Sequence, residues 1–369
     1  MTERLPLHVR DVTADWLTGA LRAGGVIDEA TTVEHVTCEP VAAGVGFMGE
    51  VARLIPTYAS GAGSSGSGPA TVIAKIPTQD QNVRSLLAPA RVFEREARFY
   101  LDIAPQLEMV PTAYHVAADF ARDDYVLLME DLGHLRTGDQ IGGAAPDQAA
   151  AALECLGGVH AKFWRSARLD DIAWMPRIDD PSMKIGREIY AASLPGFLEM
   201  FGGSLDPALT GVVERFGDNV HQVMDRFGAM PTTIVHFDYR LDNLFFDDSA
   251  RGAESVRIID FQASCKGGGA YDVGYFLSQN VATDVRREHE DELLRIYHAA
   301  LAAGGVSDYS FEQLRADYRV GVLYGWIIPV YAVGTLDSSS DRAVALWTEV
   351  VRRAQAAMID HDVASLLVT

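Results

Sequence analysis

A chain of 369 residues with 48% hydrophobic content can bury a large core. Its 51 Asp+Glu against 31 Lys+Arg give a formal charge of -20 with no compensating basic patch, which excludes nucleic acid and anionic membrane surfaces as expected partners. Cys38, Cys155 and Cys265 share neither disulfide nor metal-ligand spacing, the first ten residues lack an apolar signal core, and the longest uncharged run, Val320 to Thr335, is interrupted by Gly325 and Pro329. These features predict reduced thiols in a cytoplasmic protein with no membrane insertion.

In chain order, Asp11 to Ala23 carries Val12, Trp16, Leu17, Ala20 and Leu21 at helical spacing, with Thr13 as the N-cap. Three strands are predicted next, Val33 to Val41, Glu50 to Tyr58 and Ala70 to Pro77, with the Gly/Ser tract Ser60 to Gly68 as a long hairpin loop. A helix over Ala90 to Ile103 and a buried strand over Tyr125 to Met129 follow. From about Pro146 the pattern changes to amphipathic helices: Ala149 to Trp164, Pro207 to Phe227, Asp284 to Ala303, Phe311 to Ile328 and Asp341 to Leu366. Only the runs Thr233 to His236 and Val256 to Phe261 interrupt them as strands. The reading is α+β, with an antiparallel β-rich N-terminal domain over residues 1–132 and a helical C-terminal domain over 133–369.

Four groups of residues carry chemistry. Gly44-Val45-Gly46-Phe47-Met48-Gly49 fits G-x-G-x-x-G but is followed by a strand. A dinucleotide-binding unit requires a helix there, so a glycine-rich turn laid over nucleotide phosphates is the other physical use. Lys75, inside the apolar strand Val72-Ile73-Ala74-Lys75-Ile76, needs an anion to neutralise it. Glu96 is preferred over Glu94 as that partner, because Phe93, Ala97 and Tyr100 mark the inward stripe of its helix.

The third group is His236-Phe237-Asp238-Tyr239-Arg240-Leu241-Asp242-Asn243, a polar loop between two apolar runs. Transfer of a phosphoryl group to a hydroxyl needs a carboxylate that orients the nucleophile and accepts its proton, together with hard oxygen ligands for magnesium. Asp238 fits the first role and Asn243 the second. Arg240 and Asp242 receive no catalytic assignment. Asp260, ending the apolar run Ile258-Ile259, supplies the second magnesium ligand as the fourth group.

The order of glycine turn, strand lysine, helix glutamate, H-x-D-x-x-x-x-N and D-F resembles the aminoglycoside phosphotransferase and choline kinase superfamily, in particular the ecdysteroid-kinase-like phosphotransferases, over nearly the whole chain. The resemblance implies a two-lobed protein-kinase-like fold and an ATP- and Mg-dependent kinase acting on a small-molecule alcohol. It implies that Lys75 binds nucleotide phosphates, that Asp238 is the base, and that Asn243 and Asp260 hold magnesium. Val126 to Met129 with Glu130, Asp131 and Leu132 would form the hinge beside adenine, and Asp272 would brace the catalytic loop. Phe237 departs from the family's usual glycine. His160 fits the family pattern as well, but a lone histidine in a packed helix reads as a hydrogen-bonded core residue.

A protein kinase is disfavoured by the few residues between Asp260 and Asp272 and by the lack of an A-P-E sequence. A nucleotide-binding pseudokinase is disfavoured by the joint presence of Lys75, Asp238, Asn243 and Asp260. Tyr324, Trp326, Ile327, Ile328, Tyr331 and Trp347, with Phe237, predict a largely apolar acceptor, with an aminoglycoside as the alternative. Oligomeric state is left open.

Overall fold

Thr13 caps the first helix, its hydroxyl accepting the Trp16 N–H at 3.1 Å. This helix, α1 (Ala14–Ala23), presents Trp16, Leu17, Ala20 and Leu21 to a sheet. In the computed structural model, which describes residues 5–41, 48–60, 68–335 and 340–367, that sheet has five strands: β1 (Thr31–Pro40), β2 (Gly49–Ser60), β3 (Val72–Pro77), β4 (Ala113–Asp119) and β5 (Asp124–Met129). Their order is β1-β2-β3-β5-β4 and every neighbouring pair is antiparallel. β2 and β3 pair as expected for a hairpin, while most of the intervening Gly/Ser tract lies outside the described residues.

The two-residue period of a strand assigns each side chain to a face. Val72, Ala74 and Ile76 of β3, with Val126 and Leu128 of β5, join the apolar cluster under α1. Lys75 therefore points to the opposite face. That face receives α3 (Val92–Asp102), which follows the short α2 (Gln81–Leu87).

The chain divides into two compact units, one of residues up to His134 together with Ile259–Gln262, the other of Leu135–Ile258 with Ala263 onward. The second unit contains α4 (Pro146–Phe163), α5 (Arg168–Asp171), α6 (Gly186–Phe201), α7 (Pro207–Ala229), α8 (Ala270–Asn280), α9 (Thr283–Ala303), α10 (Phe311–Gly325), α11 (Ile327–Thr335) and α12 (Asp341–Asp360). Its strands are short. β6 (Arg136–Thr137), β8 (Leu244–Phe246) and β9 (Val256–Ile258) form one antiparallel sheet, and β7 (Thr232–Val235) with β10 (Cys265–Gly268) another. No helix among the described residues is long and apolar enough to cross a membrane.

Several elements differ from the sequence reading. The expected helix Phe311 to Ile328 breaks at Trp326 into α10 and α11. Pro329 is the cause, since it lacks an N–H and its ring would meet the carbonyl of Gly325, four residues back. The last helix stops at Asp360 instead of Leu366, because Asp362 takes a left-handed φ of +44° and a 3-10 turn over Val363–Leu366 follows. The strand β4, with three alanines in seven residues, lacks the β-branched composition that marks strands. The helix α8 is buried on every side and so shows no apolar stripe. It approaches α10 at paired glycines, where a Cβ on Gly274 would lie 2.3 Å from the Gly321 carbonyl carbon.

Glu290 on α9 ties the C-terminal helices together. It accepts from Tyr318 at 2.6 Å, from Arg286 at 2.7 Å and lies 3.0 Å from His361. Burial pushes its carboxyl up, but His361, Tyr318 and Arg286 outweigh that and bring it to about 2. A depressed carboxyl contributes stability above its ordinary value of 4.5 that is lost as pH falls through the folded-state value. Glu290→Gln should therefore be less stable than the parent chain at neutral pH, with the gap closing as pH falls from about 4.5 toward 2. Denaturant midpoints measured at pH 7, 4 and 3 check this; a gap unchanged at pH 3 contradicts it.

Candidate active site

In the first unit, the residues with nucleotide-binding expectations gather around Lys75. Its Nζ donates to Glu96 Oε1 at 2.6 Å and to Asp260 Oδ1 at 3.0 Å. Tyr125, at the start of β5, donates its hydroxyl to the other oxygen of Glu96. Burial pulls Lys75 down, but Asp260 and then Glu96 outweigh it and raise it above the ordinary lysine range, so the ammonium persists. Burial pushes the Glu96 carboxyl up against the opposing effect of Lys75. Glu94, the rival partner, is engaged by Arg91 and Arg98 instead.

Asp260 takes a left-handed φ of +69°, a strained conformation for a residue with a Cβ. The next residue, Phe261, stacks on Phe99 of α3 with ring centroids 3.8 Å apart. That stacking anchors the chain on one side of Asp260, and Lys75 holds its carboxylate. Along the edge of the sheet, the Glu130 N–H donates to the Thr112 carbonyl at 2.9 Å. Asp131 accepts two bonds from Arg53, at 2.5 and 3.1 Å, and Leu132 is buried. Gly44 and Gly46 lie outside the described residues. Gly49 opens β2 where a Cβ would come within 2.6 Å of the Ile76 carbonyl oxygen.

In the second unit, the residues expected to be catalytic lie on the turn after β7. Asp272, fully buried at the start of α8, accepts the His236 N–H at 2.7 Å on Oδ2 and the Phe237 N–H at 2.9 Å on Oδ1. His160 of α4 stands behind it, with Nε2 3.3 Å from Asp272 and Nδ1 2.8 Å from the Tyr297 hydroxyl. It is a hydrogen-bonded core residue that orients the brace. The Phe237 φ is +72°, a region where glycine costs nothing and a phenylalanine costs roughly 1–2 kcal/mol. Its two-sided support offsets this: the N–H bond to Asp272, and a ring stacked on Tyr271 at 4.7 Å.

The turn presents Asp238. Its Oδ2 accepts from Asn243 Nδ2 at 3.0 Å and from Arg240 Nε at 3.2 Å, and its Oδ1 accepts from the Tyr275 hydroxyl at 3.1 Å. Asn243 Nδ2 also reaches the Asp238 carbonyl at 2.9 Å. With its amide nitrogen committed to Asp238, Asn243 has its carbonyl oxygen to offer as a hard ligand. Asp242 is paired with Arg240 at 3.5 Å and Arg342 at 3.8 Å.

A family model described as the ecdysteroid kinase-like family matches residues 43–305. The chain belongs to the ecdysteroid kinase-like family. It is a small-molecule kinase. No curated protein matches it. Among solved structures it is similar to choline kinase from Cryptosporidium parvum, at 10% identity over 90% of this chain and 92% of that one, with a TM-score of 0.54. Choline kinase LicA from Streptococcus pneumoniae matches at 15% identity over 89% and 94%, TM-score 0.51. The GDP complex of an aminoglycoside 2'-phosphotransferase-IIIa mutant matches at 13% identity over 89% and 93%, TM-score 0.50. The kinase-like fold is common to all of them.

The aromatic residues expected to favour an apolar acceptor turn out to be mostly core. Tyr324, Trp326 and Ile327 are buried, Trp347 nearly so, and the Tyr331 hydroxyl donates to the Gly186 carbonyl. Phe237 alone of that set belongs to the turn carrying Asp238. Two residues went unnoticed in this kinase's sequence. Tyr125 shares the Lys75 face of the sheet by strand alternation, and Tyr275 follows Asp272 by three residues, one helical turn. Both periodicities were available as signals.

Replacing Asp272 with Asn leaves one acceptor where the two N–H groups of the turn need two. Asp272→Asn should destabilise the ecdysteroid kinase-like chain by about 2 kcal/mol or more, read from urea unfolding. A loss below about 0.5 kcal/mol would show that the turn does not depend on this carboxylate.

Proposed function

We propose that the protein transfers the γ-phosphoryl group of ATP, with magnesium, to a hydroxyl of a small alcohol. The observation that carries the reading is Lys75, a part-buried ammonium held between Glu96 and Asp260. Such a lysine is pre-aimed to neutralise phosphate oxygens, and the glutamate keeps it from collapsing fully onto the aspartate. The carbonyl of Glu130 and the backbone of Leu132 are the proposed contacts to adenine, since the Glu130 N–H is already used by Thr112. Gly44, Gly46 and Gly49 would cover the phosphates with backbone.

Asn243 and Asp260 are the proposed magnesium holders. Magnesium commonly takes only one or two protein ligands beside phosphates and waters. The donor set fits this: a carboxylate, and an amide whose nitrogen is turned away by Asp238. Among the described residues no cluster of three or more His, Cys, Asp or Glu side chains could hold a metal alone. The ion would offset charge on the transferring group when bound.

Asp238 is the proposed base. The acceptor oxygen forms a bond to the γ-phosphorus as the bridging bond to the β-phosphate breaks, and the hydroxyl proton passes to the Asp238 carboxylate. The turn that carries Asp238 is held by Asp272 and Asn243, so the carboxylate need not reorganise to orient the nucleophile. For the acceptor, the pairing of Asp238 and Asp242 with Arg240 and Arg342 leaves little acidic surface for a polycation. With the Phe237 ring in the same turn, this supports a largely apolar alcohol over an aminoglycoside.

Asp238→Asn should lower phosphoryl transfer by about 10²–10⁴-fold while MgATP binding, read by thermal shift, stays nearly intact. Lys75→Ala should weaken nucleotide binding and transfer together, because its charge acts in ground and transition states alike. A coupled ADP-release assay with a panel of apolar alcohols, amino alcohols and aminoglycosides measures both. Transfer by Asp238→Asn within tenfold of the parent rate overturns the base assignment, and turnover of aminoglycosides alone overturns the acceptor reading.

A further inference from the structure

A carboxylate has about four lone-pair positions, two on each oxygen. At Asp238 the two on Oδ2 are taken by Arg240 Nε at 3.2 Å and Asn243 Nδ2 at 3.0 Å. Oδ1 has one donor, the Tyr275 hydroxyl at 3.1 Å. An acceptor hydroxyl arriving at this carboxylate therefore finds its free lone pair on Oδ1, beside the phenol. Tyr275 is almost fully buried on α8, three residues after the Asp272 brace, so the helix that fixes the turn also fixes the phenol.

We infer that Tyr275 is a positioning residue that selects Oδ1 of Asp238 as the atom receiving the acceptor's proton. The inference rests on the reading of Asp238 as the base. As the acceptor oxygen bonds to phosphorus and the bridging bond breaks toward ADP, the hydroxyl proton moves to Oδ1, and Tyr275 keeps its own proton throughout. Burial, and then the Asp238 charge, push the Tyr275 phenol well above its ordinary value of 10, so it remains a donor across the working pH range. Arg240 opposes that push and Asp242 adds to it, while His236, whose Nδ1 accepts the Asp238 N–H at 3.2 Å, Asp272, and Tyr271, whose hydroxyl donates to the Phe237 carbonyl, also face the turn. Losing this one donor to a charged oxygen is worth about ten- to a hundredfold.

The test uses Tyr275→Phe in the full chain with MgATP, taking water as the baseline acceptor and 1-octanol, choline and kanamycin as added acceptors. For whichever supports the fastest ADP release, kcat should fall about ten- to a hundredfold while KM for MgATP stays within about twofold. Tyr318→Phe removes an equally buried phenol hydroxyl from the same unit, bonded to Glu290, and should change none of these. An unchanged kcat in Tyr275→Phe, or an equal fall in Tyr318→Phe, overturns the inference. If Tyr275→Phe does not fold, 3-fluorotyrosine at position 275 keeps the ring and alters the strength of this one donor, so kcat should change while KM for MgATP does not; an unchanged kcat overturns the inference. Asp238→Asn run alongside separates the two failures: an inactive Asp238→Asn with a normal Tyr275→Phe rejects only the role of Tyr275, and a fully active Asp238→Asn rejects both.

Discussion

The second unit depends on one buried carboxylate. Asp272 has no exposed surface, and a charge in that position is tolerable only because backbone N–H groups of His236 and Phe237 and the ring of His160 surround it. In return it holds Phe237 in a left-handed conformation that the side chain alone would resist. The turn thus exists before any ligand arrives, with Asp238 and Asn243 already bonded to each other. Preorganisation of this kind would spare the reaction the cost of ordering Asp238, the proposed base.

The first unit solves a related problem by a different route. A lysine in an apolar strand is unfavourable unless anions meet it, and the strand period sends Lys75 away from the α1 cluster toward α3. Helical phase then brings Glu96 to it. The third member, Asp260, comes from a remote part of the chain and carries its own left-handed strain, held by Lys75 and by the stacking of Phe261 on Phe99. In both units a strained residue sits where charge must be presented, and rigid neighbours absorb the cost.

The parts of this arrangement legible in the sequence were those with a period or a punctuating residue. Thr13 announced the first helix, the apolar run around Lys75 announced its need for an anion, and the phase of Phe93, Ala97 and Tyr100 separated Glu96 from Glu94. The elements that were not legible lack such signals for physical reasons. The helix α8 is buried around its whole circumference, β4 carries three alanines in seven residues, and β10 is a Cys-Lys-Gly-Gly strand stabilised by pairing with β7 rather than by its composition. The acceptor reading suffered most. Aromatic residues in the C-terminal helices look the same in a sequence whether they line a pocket or fill a core, and Tyr324, Trp326 and Ile327 fill the core. The bonding of Tyr275 to Asp238 combined a helical turn with a tertiary contact, and only the first half is written locally.

The remoteness of Asp260 also orders events in time. Lys75 and Asp260 are 185 residues apart, although Ile259–Gln262 belong to the same compact unit as the five-stranded sheet. A ribosome adding about 5–20 residues per second needs roughly 10–40 s to cover that distance. Throughout that interval the emerging sheet and α3 supply the ammonium with a single counter-ion, Glu96. The N-terminal unit is therefore complete as a tertiary structure only when more than two-thirds of the polypeptide has been made, and maturation of its charge cluster waits on translation of the second unit.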